Sequence, residues 1–148
     1  MAVYHFSAKT VSRSAGRSST AAAAYRSGER IVDERTGEIH DYTRKGGVVD
    51  SLVVLPHGGT MNRADLWNKV EAHHKRGDAT VAREFVVALP AELDAAQRQE
   101  LARTYARELA DRYGVGVDLN IHAPGTPAEL MQRTGHASLE AAFVALLP

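Results

Sequence analysis

The 148-residue chain contains no cysteine. Disulfide bonds and thiolate metal sites are therefore excluded, and the composition is typical of a protein in a reducing cytoplasm. No apolar run approaches the roughly 18 residues that a membrane-spanning helix needs. Lys9 and Arg13 fall where a secretory signal peptide would have its apolar core. These absences predict one soluble domain with a cytoplasmic location and no membrane partner.

The chain also lacks net charge, because 18 basic residues balance 18 acidic residues. A protein that is basic all over is excluded, so any contact with nucleic acid must be confined to one surface. Residues 1–28 concentrate positive charge, since they hold no acid and carry Lys9, Arg13, Arg17 and Arg26. This local charge would attract a backbone phosphate.

Residues 18–28 have the pattern of a short helix that carries a tyrosine on its last turn. Ser18 or Ser19 can cap the start, an alanine run follows, and Gly28 stands where a left-handed glycine would end the helix. Because alanines precede Tyr25 on the helix and every charge in residues 1–28 is positive, its phenol is a candidate nucleophile. The alternative is a core or interface tyrosine whose hydroxyl has one partner.

Further along the chain, strand patterns alternate with helix patterns. The predicted elements are a hairpin around Thr36-Gly37, a solvated loop with Arg44 and Lys45, strands over 48–55, 80–89 and 115–122, and helices over about 62–76 and 95–113. The second of these helices begins with a capping box, Asp94 to Gln97. Its large apolar residues, Leu101, Tyr105, Leu109 and Tyr113, are expected to face the sheet. The order predicts an α+β fold, an antiparallel sheet with packed helices.

Two polar residues in the predicted strands are candidate site residues. Glu84 interrupts the most apolar strand, where a carboxylate is costly unless it is paired, near a metal or facing an open groove. An ion pair with Arg26, Arg83 or another base and a role at an active site both remain open. His122 lies near the end of the last strand, on its polar face, as a hydrogen-bonded surface residue or a ligand.

Four blocks of this sequence together resemble a known family. In chain order they are YHFSAKTVSRSAGRSSTAAAAYRSGE, DERTGEIHDYTRKGGV, AREFVVALPAEL and DLNIHAPG. Over residues 1–124 they resemble the N-terminal relaxase domain of MobA/MobL mobilisation proteins, which belong to the HUH endonuclease group. The resemblance implies an HUH relaxase-like fold and a site- and strand-specific DNA-nicking transesterase for conjugative plasmid mobilisation.

The resemblance also implies roles for individual residues. Tyr25 matches the nucleophile that forms a 5′-phosphotyrosine, and His122 matches the first of three metal-binding histidines. Glu84, from its place in an apolar strand, is the second candidate catalytic residue. Family members often carry a second acid two positions after Glu84, where this chain has Val86. Independently of the resemblance, the acid-free basic stretch predicts Lys9, Arg13, Ser14, Arg17 and Arg26 as DNA-binding residues. A monomer is expected, with Mg²⁺ or Mn²⁺ as cofactor and single-stranded DNA at a transfer origin and accessory relaxosome proteins as partners.

The composition changes at residues 123–125, and the family's HxH strand, which supplies the other two histidines, has no match after this point. Residues 125–148 contain one histidine, His136. They are interpreted as a divergent tail of two short helices around Gly135, frameshifted or fused, with a weak likeness to the LMxRxGHxS segment of tyrosine recombinases. A metal would then bind weakly. Three hypotheses follow: an impaired nicking enzyme, an inactive single-stranded DNA-binding module, and a non-functional gene fragment.

Overall fold

The computed structural model of the protein describes residues 6–123 and 140–146. Within these ranges the helices are α1 Ser19–Ser27, α2 Arg63–His73 and α3 Ala95–Tyr113. The strands are β1 Phe6–Ser12, β2 Arg30–Val32, β3 Ile39–Asp41, β4 Val48–Val54, β5 Thr80–Ala88, β6 Val117–His122 and β7 Glu140–Leu146.

Each helix begins at a capping residue that the sequence predicts. The Ser18 side chain accepts a hydrogen bond from the backbone of the first turn of α1, and Asn62 does the same for α2. Asp94 and Gln97 form the complete capping box of α3. Gly28 ends α1 at φ 69°, a left-handed conformation that favours glycine. In the described part of the chain, none of these helices has the length and apolar character that crossing a bilayer requires.

Five strands form one antiparallel sheet in the order β1-β5-β7-β6-β4, and β2 and β3 form a separate antiparallel hairpin. This arrangement confirms the predicted α+β class with an antiparallel sheet and packed helices. It also confirms that β5 is an internal strand, because β5 pairs with both β1 and β7.

Strand β7 corrects the prediction of a helical tail. Residues 140–146 pair with β5 and β6, and Phe143 lies opposite both Phe85 and Leu119 in the backbone register. The helix propensity of this Ala- and Leu-containing segment is overridden because pairing satisfies the backbone groups of two strands at once. The rest of the predicted tail, including Gly135 and His136, lies outside the described residues.

Helix α3 covers one face of the sheet with its smallest side chains. Ala102, Ala106 and Ala110 are buried in a cluster with apolar residues of β6. The prediction that larger side chains face the sheet is wrong for three residues that are exposed: Leu101, Tyr105 and Tyr113. The alanine stripe allows the helix to approach the sheet closely, so the large residues one position earlier lie to the side.

Helices α1 and α2 cover the opposite face. Trp67 of α2 is fully buried, and its indole Nε1 donates to the Asp118 carboxylate at 2.8 Å. Arg63 of α2 also pairs with Asp118, through Nε at 2.8 Å. The predicted polar face of the last strand is therefore buried beneath α2 and does not face solvent. Helix α1 packs against α2, β4 and β6, and Tyr25 on its last turn lines a pocket together with Lys9 of β1 and Glu84 of β5.

Candidate functional site

A pocket of about 310 Å³ opens between α1, β1 and β5. Its walls combine three bases, one acid and one tyrosine with small residues of α1 and of the turn before it. The lining residues are Lys9, Gly16, Arg17, Ser18, Ala21, Ala22, Tyr25, Arg26 and Glu84. The pocket thus joins both predicted catalytic residues with three of the five predicted DNA-binding residues.

Tyr25 lies at this pocket with 46% of its surface exposed. Its ring meets Tyr42 edge-on, with ring centroids 5.3 Å apart and an interplanar angle of 88°. The Lys45 ammonium lies 3.8 Å from the ring centroid, and the Arg26 guanidinium lies 5.6 Å from it. The phenol is therefore accessible to a large substrate and lies among cations.

Glu84 is buried beneath the pocket and binds two arginines. One carboxylate oxygen accepts from Arg26 Nη2 at 2.9 Å, and Arg17 Nη2 lies 3.9 Å from the same oxygen. This confirms the predicted ion pair with Arg26, which offsets the cost of burying the carboxylate. Glu84 thereby holds two guanidinium groups at the pocket wall. Its role in catalysis stays a prediction.

Of the predicted DNA-binding residues that do not pair with Glu84, Lys9 lines the pocket, whereas Ser14 and Arg13 do not. Lys9 is exposed on β1, directly opposite Glu84 in the register, and lines the pocket. Ser14 is exposed on the short 3-10 turn Arg13–Ala15, where its hydroxyl lies 2.8 Å from that of Ser12. Ser14 is not part of the pocket wall.

Arg13 is committed to the fold. Only 6% of its side chain is exposed, and Nη2 donates to the Glu71 carboxylate at 3.2 Å and to the Glu71 carbonyl oxygen at 2.6 Å. Nη1 donates to the carbonyl oxygens of His74 and Arg76. These contacts fasten the turn after β1 to the end of α2, so the geometry disfavours a DNA contact for Arg13.

His122 ends β6 close to the pocket. Its Nε2 lies 2.6 Å from the carbonyl oxygen of Arg26. Because a carbonyl can only accept, Nε2 carries the proton in this contact. Among the residues that the structure describes, no group of three or more histidine, cysteine, aspartate or glutamate residues could hold a metal ion. The described residues therefore do not provide a three-histidine site.

Lys45 belongs to this site, although its sequence pattern predicts a solvated loop. The side chain is partly buried, and Nζ donates to the carbonyl oxygen of Tyr25 at 2.7 Å. Burial lowers the pKa of Lys45, and the nearby Arg26 charge lowers it further. The contact spans 20 residues of sequence, and a basic cluster beside Tyr42 was the only local sign of it.

The sequence of this chain is similar to those of known mobilisation proteins. A match to the MobA/MobL family covers residues 17–140. The "Mobilization protein MobL" of Acidithiobacillus ferridurans is 65% identical over 126 residues, which are 85% of this chain and 33% of that protein. The "Probable mobilization protein MobA" of Bifidobacterium longum is 40% identical over 128 residues, 84% of this chain and 23% of that protein.

The fold has a solved counterpart. A structure described as "Molecular Basis of Vancomycin Resistance Transfer in Staphylococcus aureus" superposes with a TM-score of 0.82 at 34% identity, over 98% of this chain and 70% of the other. The chain spans about a third or less of the two mobilisation proteins. The family match continues past residue 124, where the composition changes. This chain belongs to the MobA/MobL family.

Proposed function

We propose that this domain nicks DNA in conjugative plasmid mobilisation, with Tyr25 as the nucleophile. One observation carries the proposal: a half-exposed tyrosine shares one pocket with Lys9, Arg17 and Arg26 in a chain without net charge. The names of the two relatives, both mobilisation proteins, support the same process. The proposed substrate is single-stranded DNA at a transfer origin, with accessory relaxosome proteins as partners.

The proposed reaction is an exchange of phosphate esters. The phenolic oxygen of Tyr25 forms a bond to a backbone phosphorus while the bond from that phosphorus to the 3′ oxygen breaks. The phenolic proton is released, and the leaving 3′ oxygen gains a proton. The products are a 5′-phosphotyrosine and a free 3′-hydroxyl, which can later reverse the exchange without an external energy source.

The chain's own residues supply binding and charge stabilisation. Arg17 and Arg26, ordered by Glu84, present guanidinium groups that match the oxygens of a phosphate. Lys9 adds a third positive charge on the β1 side of the pocket. Cations fixed before the reaction stabilise the charge that develops on the phosphate oxygens.

The resemblance also implies Mg²⁺ or Mn²⁺, and the described residues do not fit a tight site for either ion. The sequence of β7, EAAFVAL, has no histidine beside His122. One imidazole does not hold such ions firmly. We therefore propose weak metal affinity and slow nicking for this chain, since lost stabilisation of a few kcal/mol lowers a rate by about two orders of magnitude or more.

The test is covalent capture of DNA. A labelled single-stranded oligonucleotide that contains a transfer origin is incubated with the protein, and a denaturing gel detects the adduct. The adduct is expected from the wild type and not from Tyr25→Phe, because phenylalanine has no oxygen to attack phosphorus. Tyr113→Phe, which changes an exposed tyrosine of α3, is the matched control and should react normally. An adduct with Tyr25→Phe would disprove the assignment.

A second candidate is a DNA-binding module without chemistry. The observation in its favour is that the described residues do not provide a set of metal ligands around His122. The two candidates differ in one result. Fluorescence anisotropy that shows tight oligonucleotide binding, together with no adduct after prolonged incubation with Mn²⁺, would favour the module.

The β6–β7 register suggests a decisive variant. Glu140 lies directly opposite His122, and Ala142 is two positions on, so both positions share the face of His122. The double substitution Glu140→His and Ala142→His creates an HxH pattern there. We expect calorimetry to show Mn²⁺ affinity at least about 100-fold higher, lost again with His122→Ala, and faster adduct formation.

Two results would contradict the weak-site proposal. Unchanged Mn²⁺ affinity in the double variant would mean that β6 and β7 do not form the ligand face. Tight Mn²⁺ binding by the unmodified chain, abolished by His122→Ala, would show that residues such as His136 complete a site.

A further inference from the structure

The loop that carries Lys45 is anchored at both ends. The Tyr42 backbone N–H donates to the carbonyl oxygen of Glu29, just after α1, at 3.1 Å, and the Lys45 N–H donates to the carbonyl oxygen of Tyr42 at 2.9 Å. At the other end, the Ala123 N–H donates to the carbonyl oxygen of Gly47 at 2.8 Å. Gly47 has φ 89°, and a Cβ at this position would lie 2.9 Å from the Ala123 carbonyl oxygen. Only glycine fits there without displacement. The backbone from which Lys45 extends is therefore fixed relative to α1 and β6.

The ammonium of Lys45 contacts Tyr25 in two ways. It donates to the main-chain carbonyl of Tyr25 in the last turn of α1, where helix carbonyls carry partial negative charge. It also lies 3.8 Å from the ring centroid, where the electron-rich face attracts a cation. One charged group thus connects the backbone and the ring of the same residue.

The surroundings of Lys45 disfavour its charged form. Burial and the Arg26 guanidinium both lower the pKa of Lys45. Among the side chains of residues 6–123, no carboxylate lies within 4.0 Å of its ammonium. The contacts that favour the ammonium are those with Tyr25. A surface lysine without a role would extend its flexible side chain into solvent. The neighbouring Arg44 is exposed in this way, whereas Lys45 is partly buried.

We propose that Lys45 is a positioning residue that holds the Tyr25 phenol in the orientation required for attack on a DNA phosphate. This inference rests on the proposed role of Tyr25 as nucleophile. Attack at phosphorus requires the phenolic oxygen in line with the bond that breaks, and small errors in placement lower rates strongly. Lys45 and the edge of Tyr42 together restrict the rotation of the Tyr25 ring.

The first test measures the ring directly and needs no nicking. The protein is labelled with 3-fluorotyrosine, and the ¹⁹F resonance of Tyr25 is assigned from its loss in Tyr25→Phe. Lys45→Met should shift and narrow this resonance, because the ring becomes more mobile, and should leave the signals of Tyr105 and Tyr113 on α3 in place. Arg44→Met removes the same charge from the neighbouring position and should change nothing.

Two further variants separate the effect of the charge over the Tyr25 ring from the effect of the hydrogen bond to the Tyr25 carbonyl oxygen. Lys45→Gln keeps a donor for the Tyr25 carbonyl oxygen but no charge over the ring, so it should behave like Lys45→Met. Lys45→Arg keeps both the donor and the charge, so it should keep most of the wild-type signal. Circular dichroism checks that each variant is folded, and Lys45→Gln decides the question should Lys45→Met be unfolded.

The second test uses single-turnover adduct formation at saturating oligonucleotide. Lys45→Met should lower the rate about 5- to 20-fold while changing oligonucleotide affinity less than about threefold, because the loss lies in orientation and not in phosphate binding. Lys45→Arg should recover most of the rate.

The two tests keep this inference apart from the proposed function. A Tyr25 resonance that is identical in the wild type, Lys45→Met and Lys45→Gln would overturn the positioning role, as would an equal effect of Arg44→Met. An adduct that survives Tyr25→Phe would overturn the proposed function and leave the fluorine result as the evidence on ring position.

Discussion

Replacing Arg13 by alanine is expected to destabilise the fold and to leave DNA binding intact, although Arg13 belongs to the basic stretch of the sequence. Its guanidinium lies among acceptors at the end of α2, and the side chains of Arg13 and Glu71 are 6% and 0% exposed. Alanine removes the cation and leaves the Glu71 carboxylate buried. The largest part of the effect is thus the cost of an unpaired buried charge.

The structure allows an estimate of this cost. Removing one partner of a buried ion pair typically costs about 3–5 kcal/mol. The carbonyl oxygens of His74 and Arg76 also lose a donor, but they belong to an exposed turn and can bind water, so they add little. For a domain of this size each kcal/mol lowers the melting temperature by about 2–4 °C, so a decrease of roughly 10 °C is expected.

Urea denaturation followed by circular dichroism measures the change. Arg17→Ala is the matched control, since its side chain is 36% exposed and its loss should cost less than about 1 kcal/mol. The double variant Arg13→Met with Glu71→Gln should recover about half of the loss, because no charge remains buried alone. A loss below about 1 kcal/mol in Arg13→Ala, or weaker oligonucleotide binding equal to that of Arg17→Ala, would refute the reasoning.

Replacing Lys9, Arg17 and Arg26 together by glutamine should reduce the slope of log affinity against log salt by about 2, measured by fluorescence anisotropy, because three phosphate contacts are lost. An unchanged slope would place the DNA surface elsewhere. Glu84→Gln should raise oligonucleotide affinity at low salt and lower the free energy of unfolding by about 1–3 kcal/mol, because the pocket loses its acid and Arg26 its charged partner. Weaker binding would contradict this. Burial would raise the pKa of Asp33, but hydrogen bonds from a hydroxyl and two backbone amides outweigh it and hold this pKa below the usual value. Its stabilising contribution is therefore present above about pH 4 and lost as pH falls through the lowered pKa, so Asp33→Asn should flatten the change in urea midpoint between pH 7 and pH 3.

The sequence predicted the features that depend on neighbouring residues. The caps at Ser18, Asn62 and Asp94 and the left-handed Gly28 are set within one helical turn, so their residue types are sufficient evidence. The same local signals placed Tyr25 on the last turn of α1. The pairing of Glu84 with Arg26 was predicted for a more general reason, because a buried carboxylate needs a partner.

The features that the sequence did not predict depend on distant parts of the chain. The count of charged residues did not distinguish Arg13 from Arg17. In the fold, however, Arg13 binds Glu71, which lies 58 residues away in sequence. Hydrophobicity favoured Leu101 over Ala102 for the sheet-facing side of α3, because a close approach between helix and sheet is not visible in one helix alone. Lys45 was missed for the same reason, since its partner lies on another element.

The place of β7 in the sheet has a consequence for how the molecule folds. Before residues 140–146 are available, the sheet consists of two separate ribbons, β1–β5 and β4–β6. Two-stranded ribbons are marginally stable alone, and contacts between distant residues form slowly. Glu84 of β5 and His122 of β6 lie on the two strands that β7 joins, so the relative position of these two residues is set by the strand latest in the described chain order. Pulsed hydrogen exchange should therefore find the amides of β5 and β6 protected together, in one late step.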